Sequence, residues 1–195
     1  MSEAIDGVIS AEENTVVSQL KKDGILQRFD PATIFGIAKN GGVGVMCSDG
    51  DPDMFPYHTR LTHRPHCVRL FGGSLLFAPS FKGFNEALAF GLLGNIRQGM
   101  TVKHTQTLFL YVHAPCGVAA MYGYGIEDQI KLAIEAMEFF AADNFFRRNK
   151  IHLLFHVKRI NRAGALEQNT YKIDVDAFLA KLKHEEGERR GEAVA

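Results

Sequence analysis

Between residues 10 and 26 the apolar positions Val16, Val17, Leu20 and Ile25 recur at helical intervals. This spacing predicts an amphipathic helix from about Ser10 to Leu26, weakened at its end by Gly24. Further on, the pattern changes to short unbroken apolar runs bounded by turn residues, the signature of strands covered on both faces. Gly42-Val43-Gly44-Val45-Met46-Cys47 is the first run, broken at Ser48-Asp49-Gly50-Asp51-Pro52. His66-Cys67-Val68-Arg69-Leu70-Phe71 is the second, ended by Gly72-Gly73. Thr107 to His113 is the third, stopped by Ala114-Pro115, and Ile151 to Val157 is the fourth. Tyr171 to Val175 predicts a fifth strand, at an edge. Helical patterns run from Phe84 to Arg97 and from about Glu127 to Arg148. Strands alternating with helices predict an α/β domain: a mostly parallel central sheet of four strands plus an edge strand, with helices on both faces. Residues 1–183 read as one such domain, and the charged residues 184–195 as a disordered tail.

Composition narrows the class. The chain has 195 residues, an apolar fraction of 46% and 15 Phe, enough for one core with apolar surface left over. Lys and Arg number 22 against 22 Asp and Glu, so no global field draws the chain to nucleic acid or to anionic membranes. No run approaches the ~20 apolar residues of a membrane span. The first residues have neither a basic nor an apolar region of the kind a secretory signal needs. Three cysteines argue against a disulfide framework and for a reducing, cytoplasmic setting, where cysteines spaced with histidine bind metal or catalyse.

Candidate chemistry gathers at two strand ends. Cys47 closes the first run, with Asp49 two residues on. His113 closes the third, followed by Ala114-Pro115-Cys116-Gly117. In an open parallel sheet, sites form beyond the carboxyl ends of strands, where the strand order reverses. Two sulfurs and an imidazole converging there make a combination used for zinc with a fourth position open. Asp49 either supplies that fourth ligand or hydrogen-bonds a water on the metal, which distinguishes a closed site from an open one. A buried cysteine is commonly a small hydrophobe, and His113 alone could be a satisfied core histidine. Their joint placement favours the metal.

Cys47-Ser48-Asp49 after one apolar strand and His113-x-x-Cys116-Gly117 after another resemble the β-class carbonic anhydrase family. Val68 to Ser74 lies where that family has a strand running into an Arg-Asn-x-Ala-Asn stretch, with Arg69 at its arginine. Ile151 to Val157 followed by Gly164-Ala165-Leu166 is similar to its late strand and hairpin. The resemblance spans roughly residues 10 to 180. It implies a Zn2+ ion held by Cys47, His113 and Cys116, Asp49 as the catalytic carboxylate, and a homodimer or higher homo-oligomer. It also implies a lyase that reversibly hydrates carbon dioxide to bicarbonate, or a hydrolase of a related small molecule such as carbon disulfide.

The family's Cys-x-Asp-x-Arg motif ends here in Asp51. In the family the arginine holds the aspartate off the metal. A second carboxylate beside Asp49 instead pushes one of the pair toward protonation or toward the cation. The alternative expectation is therefore a non-catalytic relative, its zinc closed in by two cysteines, one histidine and Asp49. Arg60, Arg64 and Arg69 are the nearby arginines that could substitute, and the segment from Asp51 to Pro65 reads as an insertion. That insertion, with the strand after it, brings a rival cluster of His58, His63, His66 and Cys67. Neighbouring residues on a strand point to opposite faces, which weakens it as a second metal site. His58 or His63 could also act as a proton relay. Met121-Tyr122-Gly123-Tyr124-Gly125 lacks a Walker lysine and reads as a plain loop. Phe139-Phe140 and Phe145-Phe146 read as either core or subunit interface.

Overall fold

A computed structural model describes residues 7–29, 41–48, 66–161 and 163–192. Helix α1 spans Ala11–Lys22 and starts in a capping box: the Glu13 N–H donates to Ser10 Oγ at 3.1 Å, and the Ser10 N–H to Glu13 Oε2 at 2.8 Å. It ends earlier than the apolar spacing predicts, because Gly24 takes a left-handed turn (φ +76°). The next residues, Leu26–Arg28, form a short strand β1.

Five longer strands follow: β2 (Val43–Cys47), β3 (His66–Leu70), β4 (Thr107–Ala114), β5 (Lys150–Ile160) and β6 (Leu166–Ile173). Among the described residues the helices are, besides α1, α2 (Glu86–Val102), α3 (Gly117–Met121), α4 (Ile126–Ala142) and α5 (Val175–Glu192), with 3-10 turns at Gly73–Phe77 and Phe146–Arg148. Among the described residues the sheet has six strands in the order β1-β6-β5-β4-β2-β3. The pairs β2/β3, β2/β4 and β4/β5 are parallel, while β5/β6 and β6/β1 are antiparallel. The mostly parallel α/β sheet expected from sequence is present. The strand predicted at the edge, β6, is instead covered by β1 along Leu26↔Ile173 to Arg28↔Tyr171.

Both faces of the central strands are buried, and every residue of β2 and β4 lies inside. The larger core cluster joins Val43, Val45, Leu108, Leu110 and Val112 to the buried faces of α1, α2, α4 and α5. The smaller one, on the alternate positions, holds Met46, Phe109, Tyr111 and Leu154 with Phe29, and no helical residue among the described residues belongs to it. The expected helical cover is therefore described for one face only.

Helix α4 stops at Ala142, short of the Arg148 that its apolar pattern suggests. The Asp143 carboxylate accepts the Phe145 N–H at 2.8 Å and pairs with Arg97 at 2.6 Å, which draws the chain out of the helix. Phe140 and Phe146 are fully buried, packing edge-on at 4.9 Å, so this aromatic group is core. Helix α5 carries the charged segment from His184 as helix as far as Glu192, where composition predicts a disordered tail. Lys181 pairs with Glu127 of α4 at 3.1 Å and with Glu185 one turn on. Among the described residues, no helix is long and apolar enough to cross a membrane.

Candidate metal centre

From β2 the chain moves outward to β3, then returns to the other side of β2 to form β4. The strand order therefore reverses between β2 and β4, and the carboxyl ends of these two strands flank a switch point. Their pairing runs from Val43↔Leu108 to Val45↔Leu110. Cys47 and His113 lie beyond the last of these pairs, at the end of β2 and near the end of β4. Two residues past Ala114, Cys116 sits in extended backbone (φ −129°, ψ 116°) immediately before α3. The His-x-x-Cys spacing thus takes one candidate ligand from the strand and one from the turn after it.

The ligating atoms of Cys47, His113 and Cys116 all lie within 4.8 Å of one another. Tetrahedral zinc with sulfur and nitrogen bonds of ~2.3 and ~2.0 Å sets its ligand atoms roughly 3.4–3.8 Å apart, so the separation is of the right order. All three side chains are buried, at 3%, 3% and 6% exposure. The Nε2 of His113 is buried with no hydrogen-bond partner among the described residues. A buried polar atom left unsatisfied costs about 1–3 kcal/mol, and a ring nitrogen of the same histidine lies with the two sulfurs in a group that could hold a cation. Soft sulfur with imidazole in a closed, dry position suits zinc better than magnesium or calcium, which take oxygen ligands. The residues present fit a zinc ion.

A second segment supports Cys47 from the side. After β3 the chain turns through Gly72-Gly73-Ser74, and the Gly72 N–H donates to Cys47 Sγ at 3.3 Å. Ser74 Oγ–H donates to the Val45 carbonyl at 3.2 Å, tying the same turn to β2. Gly73 has φ +51°, and a Cβ there would stand 2.4 Å from the Cys47 nitrogen. Only glycine lets this turn reach the strand closely enough to hydrogen-bond the sulfur. Sequence reading identifies these glycines only as a strand end. A Gly-Gly-Ser run directly after an apolar strand was the signal available, and the partner it meets is 25 residues away.

Asp49 and Asp51 lie outside the described residues, as do His58, Arg60, His63 and Arg64. Arg69 is exposed on β3 and pairs in register with Met46. His66 is exposed as well, whereas Cys67 is half-buried against the smaller cluster. Among the described residues no second group of three ligating side chains forms.

Burial pushes the Cys67 thiol up to about 12, and the positive charge of Arg69 offsets only part of this. With a pKa of about 12, only about one molecule in 10,000 carries the thiolate at pH 8. Native protein treated with iodoacetamide at pH 8 is therefore expected to leave Cys67 unmodified, with alkylation appearing only after unfolding. Rapid native labelling at Cys67, read by peptide mass spectrometry, would refute the assignment.

No protein-family model matches the chain, and no curated protein does so. Among solved structures, the chain is similar to a carbonic anhydrase from Streptococcus mutans at 10% identity and a TM-score of 0.40, over 83% of this chain and 99% of that one. It is similar to the apo form of a carbon disulfide hydrolase at 13% identity and a TM-score of 0.38, over 82% and 90%. A carbonic anhydrase from Glaciozyma antarctica aligns at 17% identity and a TM-score of 0.36, over 86% and 99%.

Proposed function

We propose that this chain is a single-domain, zinc-dependent lyase resembling the β-carbonic anhydrases, which hydrates carbon dioxide reversibly to bicarbonate. Cys47, His113 and Cys116 are its metal ligands in this reading. The observation that carries it is the buried Cys-His-Cys group at the switch point, with no hydrogen-bond partner for the His113 Nε2 among the described residues. Zinc in such a set supplies Lewis acidity, which brings the pKa of water from ~15.7 toward ~7. Cys47 and Cys116 fix the ion as thiolates, and the Gly72 N–H takes up part of the charge on Cys47. Asp49, two residues past Cys47, accepts a hydrogen bond from the attacking water and orients it toward the substrate carbon. Two thiolates cancel more of the metal charge than neutral imidazoles would, so activity is displaced toward higher pH.

Stopped-flow hydration of carbon dioxide by the zinc-loaded protein tests this. The rate at pH 8.5 is expected to exceed that at pH 7, and Asp49→Ala to lower it by about 10²–10⁴-fold. A rate no higher than buffer at both pH values, with zinc bound, removes the proposal.

Asp51 favours a second reading. With a carboxylate where the family has its arginine, either Asp49 closes the site as a fourth ligand and the chain is a non-catalytic relative, or the site stays open and the chain is differently specific, as a hydrolase of a small molecule such as carbon disulfide. Under this reading Asp51→Arg creates or raises hydratase activity, and no gain in that variant counts against it. A homodimer or higher homo-oligomer in the cytoplasm belongs to the same proposal. Phe71 and Met121 support the homo-oligomer, each 71% exposed beside the turns that carry the site.

A further inference from the structure

We infer that His156, held by Thr170, is a positioning residue for His113. This rests on the metal reading above and adds a residue to it. His113 and His156 are direct register partners across the parallel pair β4/β5, and His156 and Thr170 are direct partners across β5/β6. Residues opposite one another in a ladder project from the same face of the sheet, about 5 Å apart. The alternation agrees, since Phe109 and Tyr111 share the smaller core cluster with Leu154, at positions of the same parity as His113 and His156. His113, His156 and Thr170 therefore form one row across three strands.

This row is shut off from solvent. His156 is fully buried, and Thr170 is 5% exposed. The His156 Nδ1 and Thr170 Oγ1 are hydrogen-bonded at 2.9 Å, which fixes the ring rather than leaving it to rotate. A fully buried imidazole is costly unless its polar atoms are engaged, and leucine or phenylalanine would fill the same place more cheaply. The arrangement makes sense if the ring, locked by Thr170, is the lateral wall that keeps the neighbouring His113 imidazole in its metal-binding orientation. Groups one shell out from a metal typically change its affinity by about 10–100-fold.

The test is cobalt and zinc binding to the full chain, with three variants. His156→Ala is expected to weaken zinc by about 10–100-fold in chelator competition and to shift the visible d–d bands of the cobalt-loaded protein. Thr170→Val, close to isosteric and lacking only the hydroxyl, is expected to weaken zinc by about two- to tenfold, with a band shift in the same direction. Phe178→Leu, a core change in α5 outside the row, is expected to lower stability and leave the cobalt spectrum unchanged. Wild-type affinity and spectrum in a folded His156→Ala overturn the inference. If that variant does not fold, wild-type affinity and spectrum in Thr170→Val overturn it. A wild-type chain that takes up neither metal overturns the metal reading itself, a separate outcome.

Discussion

Exchanging Cys116 for serine is expected to take zinc from stoichiometric to near zero after dialysis against a mild chelator. The substitution alters one buried atom and nearly keeps the volume of the side chain, so the fold should survive it. What is lost is the thiolate, and replacing an outer partner alone costs about 10–100-fold in affinity, so losing a ligand costs more than ~100-fold. His113→Ala should behave alike, because it removes a buried nitrogen with no hydrogen-bond partner among the described residues. Cys67→Ser, outside the group, should bind zinc as wild type does. A thermal shift gives a second readout. Zinc at ~100 times its Kd stabilises a native state that binds it by about 2.7 kcal/mol, or roughly 5–10 °C in a chain of this length. That increment should be present in wild type and Cys67→Ser and absent in Cys116→Ser. Full zinc retention in Cys116→Ser would remove this residue from the ligand set.

Gly73→Ala is expected to be strongly destabilising. The added Cβ would lie 2.4 Å from the Cys47 nitrogen, 2.7 Å from the Met46 carbonyl carbon and 3.0 Å from the Cys47 Cα. All three are backbone atoms of β2, which is buried along its whole length and has no room to recede. Left-handed backbone adds about 1–2 kcal/mol for a non-glycine residue, and overpacking a tight core adds about 1–3 kcal/mol. A loss of about 3 kcal/mol lowers Tm by roughly 6–12 °C, and the shift of Cys47 should weaken zinc binding as well. Gly123→Ala is the matched control, with φ +74° but nothing among the described residues within 4 Å of its Cβ, so it carries the backbone term alone. Equal melting temperatures for the two variants would show that the close approach to Cys47 is not a real constraint.

The grouping of Cys47, His113 and Cys116 was legible because each of them sits where a local pattern breaks. Cys47 and His113 end unbroken apolar runs, and Cys116 follows a proline that cannot extend the strand. Three further features escaped for physical reasons. Strand β1 continues the helical spacing of Val16, Leu20 and Ile25, and only the left-handed turn at Gly24, together with pairing to residues near 172, makes it extended. The Gly72-Gly73-Ser74 turn owes its role to contacts with β2, which no local periodicity reports. His156 reads as one position in an apolar strand, and its place beside His113 exists only once the register of β4 and β5 is set. Asp49 and Asp51, on which the two proposed readings differ, lie outside the described residues.

Zinc K-edge X-ray absorption of the full-length protein at neutral pH addresses the central claim most directly. Cys47, His113 and Cys116 as ligands require two sulfurs at about 2.3 Å and imidazole nitrogen at about 2.0–2.1 Å, with one further light atom completing four. A bound zinc whose shell contains only nitrogen and oxygen would contradict the assignment.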